Sequence, residues 1–209
     1  MKPKEQTAAR FDKEAATWDD KPDRQRLTAA IAAGIRSAVP LRPDQRLLEY
    51  GCGTASLGFL LAESVGQVVA ADISAGMIEQ VHRKLADRPK ANLSPVLLDL
   101  STQPPLAEKF NVIVTAMAMH HIVDTTAVLS RLVEMLADGG WLAVADLCQE
   151  DGSFHDHLNV QVPHNGLDPE GLMEVVRGLG LSNCCWQVVH HIEKNGRSYD
   201  VFLLTARRV

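Results

Sequence analysis

Two glycines, Gly51 and Gly53, follow directly on an apolar run that ends at Tyr50, and a helical pattern opens just after them. Without a Cβ, each lets the backbone turn sharply and lets a ligand approach it closely. Asp72 closes the next apolar run about twenty residues on, where a carboxylate accepts hydrogen bonds from both hydroxyls of a ribose. Asp99 ends a third run and suits the exocyclic amine of an adenine, while Met77, one turn into the helix after Asp72, suits the adenine face. A glycine pair alone reads equally as an ordinary turn, and a lone acid at a strand end reads as a helix cap. Their joint placement points to a nucleoside-containing ligand. A second set of residues has acid–base chemistry: His120 and His121 follow the fourth apolar run, and His155, His157 and His164 gather with Asp156 in one irregular stretch. Histidine titrates nearest neutrality and is the natural side chain to take a proton from a hydroxyl or an acidic carbon.

These residues need elements to hold them, and the chain alternates short apolar runs with longer helical patterns. Residues 46–50 and 67–72 read as strands, as do 94–98, 110–115 and 141–145, with helices expected over 56–64, 75–87 and 125–137. Continuous apolar strands linked by helices indicate a parallel sheet covered on both faces. Two more strand-like runs, 184–192 and 197–205, flank Asn195-Gly196, a pair that favours a tight hairpin because both residues tolerate positive φ. The expected fold is therefore an α/β Rossmann-like doubly wound sheet, mostly parallel, with helices on both faces and an antiparallel C-terminal hairpin strand. The first forty residues carry no strand-like run, only two helical segments over 5–18 and 24–39 that Pro40 and Pro43 bring to an end. The longest irregular stretch runs over residues 149–168, and long loops in compact domains are often functional.

Composition narrows the classes. A chain of 209 residues with 46% apolar side chains suits a single domain over 1–209, with 1–40 as an N-terminal helical lid or substrate element. A net charge of −5 and the absence of a Lys/Arg run disfavour a nucleic-acid partner. No stretch approaches the ~20 apolar residues of a membrane span, and the N-terminus has no signal-type apolar core, so the expected location is the cytoplasm. Cys52, Cys148, Cys184 and Cys185 lack metal-type CxxC spacing and are expected as reduced packing thiols.

Two nucleoside cofactors compete for the glycine turn. The dinucleotide fingerprint needs a third glycine where Ser56 stands, and a dehydrogenase generally needs further chain for a substrate domain. Glu49, two residues before Gly51, would repel a pyrophosphate but would help hold a cationic amino acid. The balance favours S-adenosylmethionine. Nearly the whole chain then resembles the class I S-adenosylmethionine-dependent methyltransferases of small-molecule type. The run from Leu48 through Glu49, Gly51, Cys52 and Gly53 to Thr54 resembles the family's first motif, and Ala71 to Met77, with Asp72 and Ile73, resembles its ribose-binding segment. Leu98-Asp99-Leu100 is similar to the adenine-binding segment, Phe110 to Ile122, including Ala116, to the fourth-strand motif, and Leu136 to Trp141 to the turn before strand five. Phe11-Asp12 and Trp18-Asp19 resemble the lid element, and the terminal hairpin agrees with an antiparallel seventh strand. Ala55 stands where many members carry a third glycine.

The resemblance implies in-line displacement of the sulfonium methyl group onto a small organic acceptor, with S-adenosylhomocysteine as product. With so good a leaving group, proximity, alignment and water exclusion supply most of the catalysis, and a dedicated base is optional. His120 and His121 are the candidates for base or substrate contact, with packing around the cofactor as the competing reading; His121 and His155 are candidate acceptor contacts. Alternating His155 and His157 are spaced to share a metal, but polar loop histidines are usually solvated, so no metal is expected, and Asp146 invites the same caution. His190-His191 is expected to be structural. Trp18 reads as a lid over the cofactor or as plain docking of the first helix. A non-catalytic binding module of the same fold is the alternative function, and the chain is expected as a monomer or homodimer.

Overall fold

The computed structural model describes residues 3–88, 92–155 and 162–209. A helix α1 (Pro3–Glu14) tightens into a 3₁₀ segment (Ala15–Asp20), and α2 (Pro22–Ala38) follows. The sequence suggests one α-helix through Trp18; instead the tighter 3₁₀ segment accompanies long-range hydrogen bonds from Thr54 and Ser56 to the Asp19 carboxylate. Pro22 starts α2, where its missing N–H costs nothing.

The strands are β1 (Arg46–Tyr50), β2 (Gln67–Asp72), β3 (Leu93–Leu97), β4 (Phe110–Ala116), β5 (Leu136–Leu147), β6 (Leu181–Lys194) and β7 (Arg197–Arg208), interleaved with α3 (Ser56–Leu61), α4 (Ala75–Ala86), α5 (Thr125–Met135) and α6 (Pro169–Gly178). They form one seven-stranded sheet in the order β3-β2-β1-β4-β5-β7-β6. The pairings of β1 through β5 are all parallel, while β7 lies antiparallel between β5 and β6. The hairpin that inserts β7 turns at Asn195 and Gly196, with φ of 53° and 73°, as the residue pair requires.

Apolar side chains cover both faces. Ile31 and Ile35 of α2, Leu57 and Leu61 of α3 and Val81 of α4 pack with Leu47 and Val112 on one face. Leu129 and Leu132 of α5 and Val176 of α6 pack with Leu48, Ile113 and Phe202 on the other. Each such burial contributes about 1.5–3 kcal/mol, which is what holds the three layers together.

Three departures from the expected rhythm have local causes. The helix expected to reach Ala137 stops at Met135, because Leu136 already pairs with Phe110 and opens β5 early. The β3 to β4 connection contains no α-helix among its described residues. Helix α6 was not anticipated although its start is marked: Asp168 accepts from the N–H groups of Glu170 and Gly171, and Pro169 sits in the first turn.

Ala55 just before α3 adopts the left-handed conformation, with φ 57° and ψ 28°. That geometry costs an L-residue roughly 1–2 kcal/mol, partly offset against glycine's extra unfolded-state entropy of about 0.4–1 kcal/mol. Ala55→Gly is therefore expected to raise stability by about 0.5–1 kcal/mol in urea denaturation, and a loss of stability would contradict the strain.

Candidate functional site

Strand order reverses between β1 and β4, so the loops leaving their carboxyl ends diverge and open a crevice, the position where open α/β sheets bind ligands. A cavity of about 820 Å³ occupies this end of the sheet. Its walls include Glu49, Gly51, Cys52, Gly53, Asp72, Ile73, Met77 and Ala116 together with His120, His121 and His155. Such a volume suits a nucleoside cofactor beside a small second ligand.

The glycine turn is fixed by its neighbours. Gly51 and Gly53 have φ of 71° and 53°, and a Cβ on Gly51 would overlap the Ala118 methyl beyond β4. The Asp72 carboxylate accepts from the Gly53 N–H and the Ser74 N–H, each at 2.8 Å, and thereby ties the end of β2 to the turn. Burial pushes its pKa upward against those hydrogen bonds. Glu49 is 2% exposed. The nearby Gly58 backbone favours its charged form, while Oε2 is buried with no hydrogen-bond partner among the described residues. Desolvation first, and then the charge of Asp72, push the Glu49 pKa up to about 8.

The N-terminal segment lies across this turn. Asp12 Oδ1 accepts from Ser74 Oγ at 2.6 Å and from the Gly76 N–H at 2.9 Å. Asp19 accepts from Thr54 and Ser56 and pairs with Lys84 at 2.7 Å, and these partners together hold its pKa below the usual carboxylate value despite burial. Trp18 stacks under the Arg24 guanidinium, 3.5 Å from ring to cation, and its indole nitrogen lies 3.5 Å from where a Gly53 Cβ would stand. Phe11 bridges Trp18 and His121 by edge contacts at 5.5 and 5.3 Å between ring centroids.

At the far end, a 3₁₀ turn (Met119–His121) presents the paired histidines. His120 Nδ1 and Asp146 Oδ1 are 2.5 Å apart, and Asp146, fully buried, also accepts from the Leu147 N–H at 2.7 Å. The His121 ring sits 4.0 Å from that of His120 and 5.5 Å from that of His155. Burial, followed by the neighbouring His120, Arg10 and His155, holds the His121 imidazole far below its ordinary pKa, so it stays neutral at physiological pH.

The structure brings most of the expected residues to one cavity, but not all. Asp99 and Leu100 are outside its lining. Asp99 caps its own turn through Ser101 and Thr102, and the buried Leu100 gives its N–H to the Tyr50 hydroxyl at 3.1 Å. His157 and Asp156 lie outside the described residues. His164 bonds through Nε2 to the Ile122 carbonyl, and His191 pairs with Asp200 at 2.7 Å, while His190 and His191 both border the cavity mouth. All four cysteines are unpaired. Sequence reading missed the Asp146 contact with His120 and the two aspartate latches, because each joins segments far apart in the chain; the one available signal for Asp146 was an acid at the carboxyl end of a strand.

A methyltransferase-domain family model matches residues 48–142. An uncharacterized methyltransferase of Schizosaccharomyces pombe is 28% identical over 151 residues, 66% of this chain and 53% of that protein. The matched segment and these relatives support a class I S-adenosylmethionine-dependent methyltransferase. Within that family, the aklanonic acid methyltransferase DauC of a Streptomyces species is 28% identical over 156 residues, 72% of this chain and 69% of DauC. The N-methyltransferase NodS of Bradyrhizobium japonicum, solved with S-adenosylhomocysteine, superposes with a TM-score of 0.73 at 17% identity over 97% of this chain and 98% of NodS, which shows a shared fold. The chain thus spans about half the length of its fission-yeast relative.

The buried Glu49 gives a stability test. Its pKa is raised in the folded chain, so folding gains from it below the ordinary carboxylate pKa and loses that gain as pH climbs toward about 8. Without cofactor, stability is expected to fall more between about pH 5 and pH 8 in the natural chain than in Glu49→Gln, measured by urea denaturation. Parallel slopes for both proteins would place the charge elsewhere.

Proposed function

We propose that this methyltransferase-family protein acts as one unit over residues 1–209, as a monomer or homodimer, transferring a methyl group to a small organic acceptor, with 1–40 serving as the lid. The observation that supports this reading is that one cavity is lined by both the glycine turn and the histidines, so a donor on the turn and an acceptor beside His120, His121 and His155 share a single space. The residues fit the family's cofactor: the orphaned Oε2 of Glu49 calls for a cationic partner, which the amino group of S-adenosylmethionine supplies. Bound there, S-adenosylmethionine contributes a methyl group on a sulfonium that departs as a neutral thioether.

The chain's own residues do the rest. Asp72, already oriented by Gly53 and Ser74, receives the ribose hydroxyls, and Gly51, Cys52, Gly53 and Ile73 shape the backbone around the nucleoside. Met77, 1% exposed, and Ala116 bound the space on their side. Asp99 and Leu100 serve the adenine only if the turn after β3 rearranges, since Asp99 now caps that turn. Trp18 and Phe11 close the cavity from above, held down by Asp12 and Asp19, and so exclude water from the transfer. His120 and His121 are the catalytic candidates, and His121 and His155 touch the acceptor; as His121 stays neutral, its nitrogen lone pair is available to an O–H, N–H or S–H group. A net charge of −5 suits a small molecule better than a nucleic acid. No described helix is long and apolar enough to cross a membrane, and a cytoplasmic setting agrees with the unpaired thiols.

Formation of S-adenosylhomocysteine with a panel of small thiols, phenols, amines and carbon acids tests the activity. Turnover of one class supports the reading; tight cofactor binding with no turnover across the panel would favour a non-catalytic binding module. Asp72→Asn, which keeps one acceptor for the turn, is expected to weaken S-adenosylmethionine binding at least tenfold by calorimetry, as loss of charged hydrogen bonds worth ~1.5–3 kcal/mol implies. Unaltered affinity in the folded variant would move the ribose elsewhere. Trp18→Ala is expected to weaken the same binding about tenfold, a change of ~1.4 kcal/mol, while leaving the urea midpoint almost unmoved; the reverse pattern would make Trp18 a docking residue only.

A further inference from the structure

We propose that His120, His121 and His155 bind a divalent transition-metal ion of the zinc type at the acceptor end of the cavity. Their candidate ligating atoms all lie within 4.8 Å of one another. The rings are mutually packed, with centroids 4.0, 5.2 and 5.5 Å apart. Tetrahedral zinc with metal–nitrogen bonds of about 2.0–2.1 Å separates its nitrogens by roughly 3.3 Å, so side-chain rotations of an ångström or two complete the site.

The surroundings are those of a ligand histidine. Asp146 engages Nδ1 of His120 at 2.5 Å and is itself anchored by the Leu147 N–H, which fixes the ring and leaves Nε2 for the ion. A carboxylate behind a histidine in this way sets its tautomer and makes it a better donor. The His121 imidazole makes ring contacts to Phe11, His120 and His155 but no hydrogen bond among the described residues, so a metal would meet no competing partner there. Imidazole donors suit zinc, cobalt, nickel and iron rather than magnesium or calcium. Three protein ligands leave a coordination position open, as catalytic rather than structural sites do. Sequence spacing pointed instead to His155 with His157 and led to an expectation of no metal; the fold carries His155 across to the paired histidines of the β4 loop.

Binding of the ion stands independently of methyl transfer; its use rests on the activity proposed above. An acceptor thiol or hydroxyl ionises against the cation, and its proton passes to water. The lone pair of the resulting anion forms the new bond to the methyl carbon as the carbon–sulfur bond of the sulfonium breaks. That bond's electron pair remains on sulfur, giving the methylated acceptor and S-adenosylhomocysteine. The proposal thus favours acceptors bearing S–H or O–H over amines.

The test uses the untagged full chain, stripped with a chelator and titrated with Co²⁺ for visible d–d absorption and with Zn²⁺ by calorimetry. One ion per chain is expected, with a tetrahedral or five-coordinate cobalt spectrum. His121→Ala and His155→Ala are expected to weaken binding at least a hundredfold, Asp146→Asn by about ten- to a hundredfold, and His82→Ala, at an exposed position of α4, not at all. His121→Gln and His155→Gln, with circular dichroism, guard against loss of fold. Absence of stoichiometric binding, or folded variants that bind like the natural chain, would overturn the site. S-adenosylmethionine binding, measured on the same samples, separates the two readings. Intact cofactor binding without metal binding sinks the metal alone; metal binding without cofactor binding sinks the methyl-transfer reading and leaves the metal site standing.

Discussion

A parallel sheet that grows outward in both directions from β1 and β4 must send the loops after those two strands to opposite sides. Backbone that diverges in this way leaves a crevice no neighbouring strand can fill. Every feature of the site follows from it. The glycine turn leaves β1, Asp72 closes β2, and the paired histidines leave β4, so groups from separate parts of the chain converge on one edge. The hairpin adds the rest: with β7 set antiparallel between β5 and β6, the β6 end with His190 and His191 reaches the cavity mouth.

Buried carboxylates set the energetics of that edge. Asp72 and Asp146 are each matched to backbone N–H donors, which makes their burial tolerable and turns them into rigid struts. Glu49 differs: its Oε2 is buried without a hydrogen-bond partner among the described residues. Natural cores rarely keep such a group without a use, and a cationic ligand is the partner it lacks. The strained Ala55 belongs to the same economy, since the turn's path is dictated by contacts on both sides of it rather than by the residue's own preference.

The N-terminal segment is held by polar latches more than by burial. Asp12 and Asp19 reach from the N-terminal segment to the ends of α4 and α3, and Lys84 ties the second latch from below. Half-exposed ion pairs and hydrogen bonds of this kind are individually worth little, so they hold the segment without locking it. That balance would suit the two-ligand site proposed above.

The sequence alone settled what repeats locally. Continuous apolar runs separated by helical periods specify a covered parallel sheet, Asn195-Gly196 specifies a hairpin, and a glycine turn followed at a set distance by Asp72 raises the expectation of a nucleoside site; each signal lies within one strand, one turn or one strand–helix unit. Helix α6 was legible in principle through Asp168-Pro169 and was missed beside a long irregular stretch. Tertiary structure alone decided the rest. Asp12 meets Ser74 across 62 positions and His120 meets Asp146 across 26, and no periodicity encodes a meeting between side chains whose distance depends on how layers pack. For the same reason Asp99, just past a strand end like Asp72, turned to its own loop, while His155 joined the histidines beyond β4.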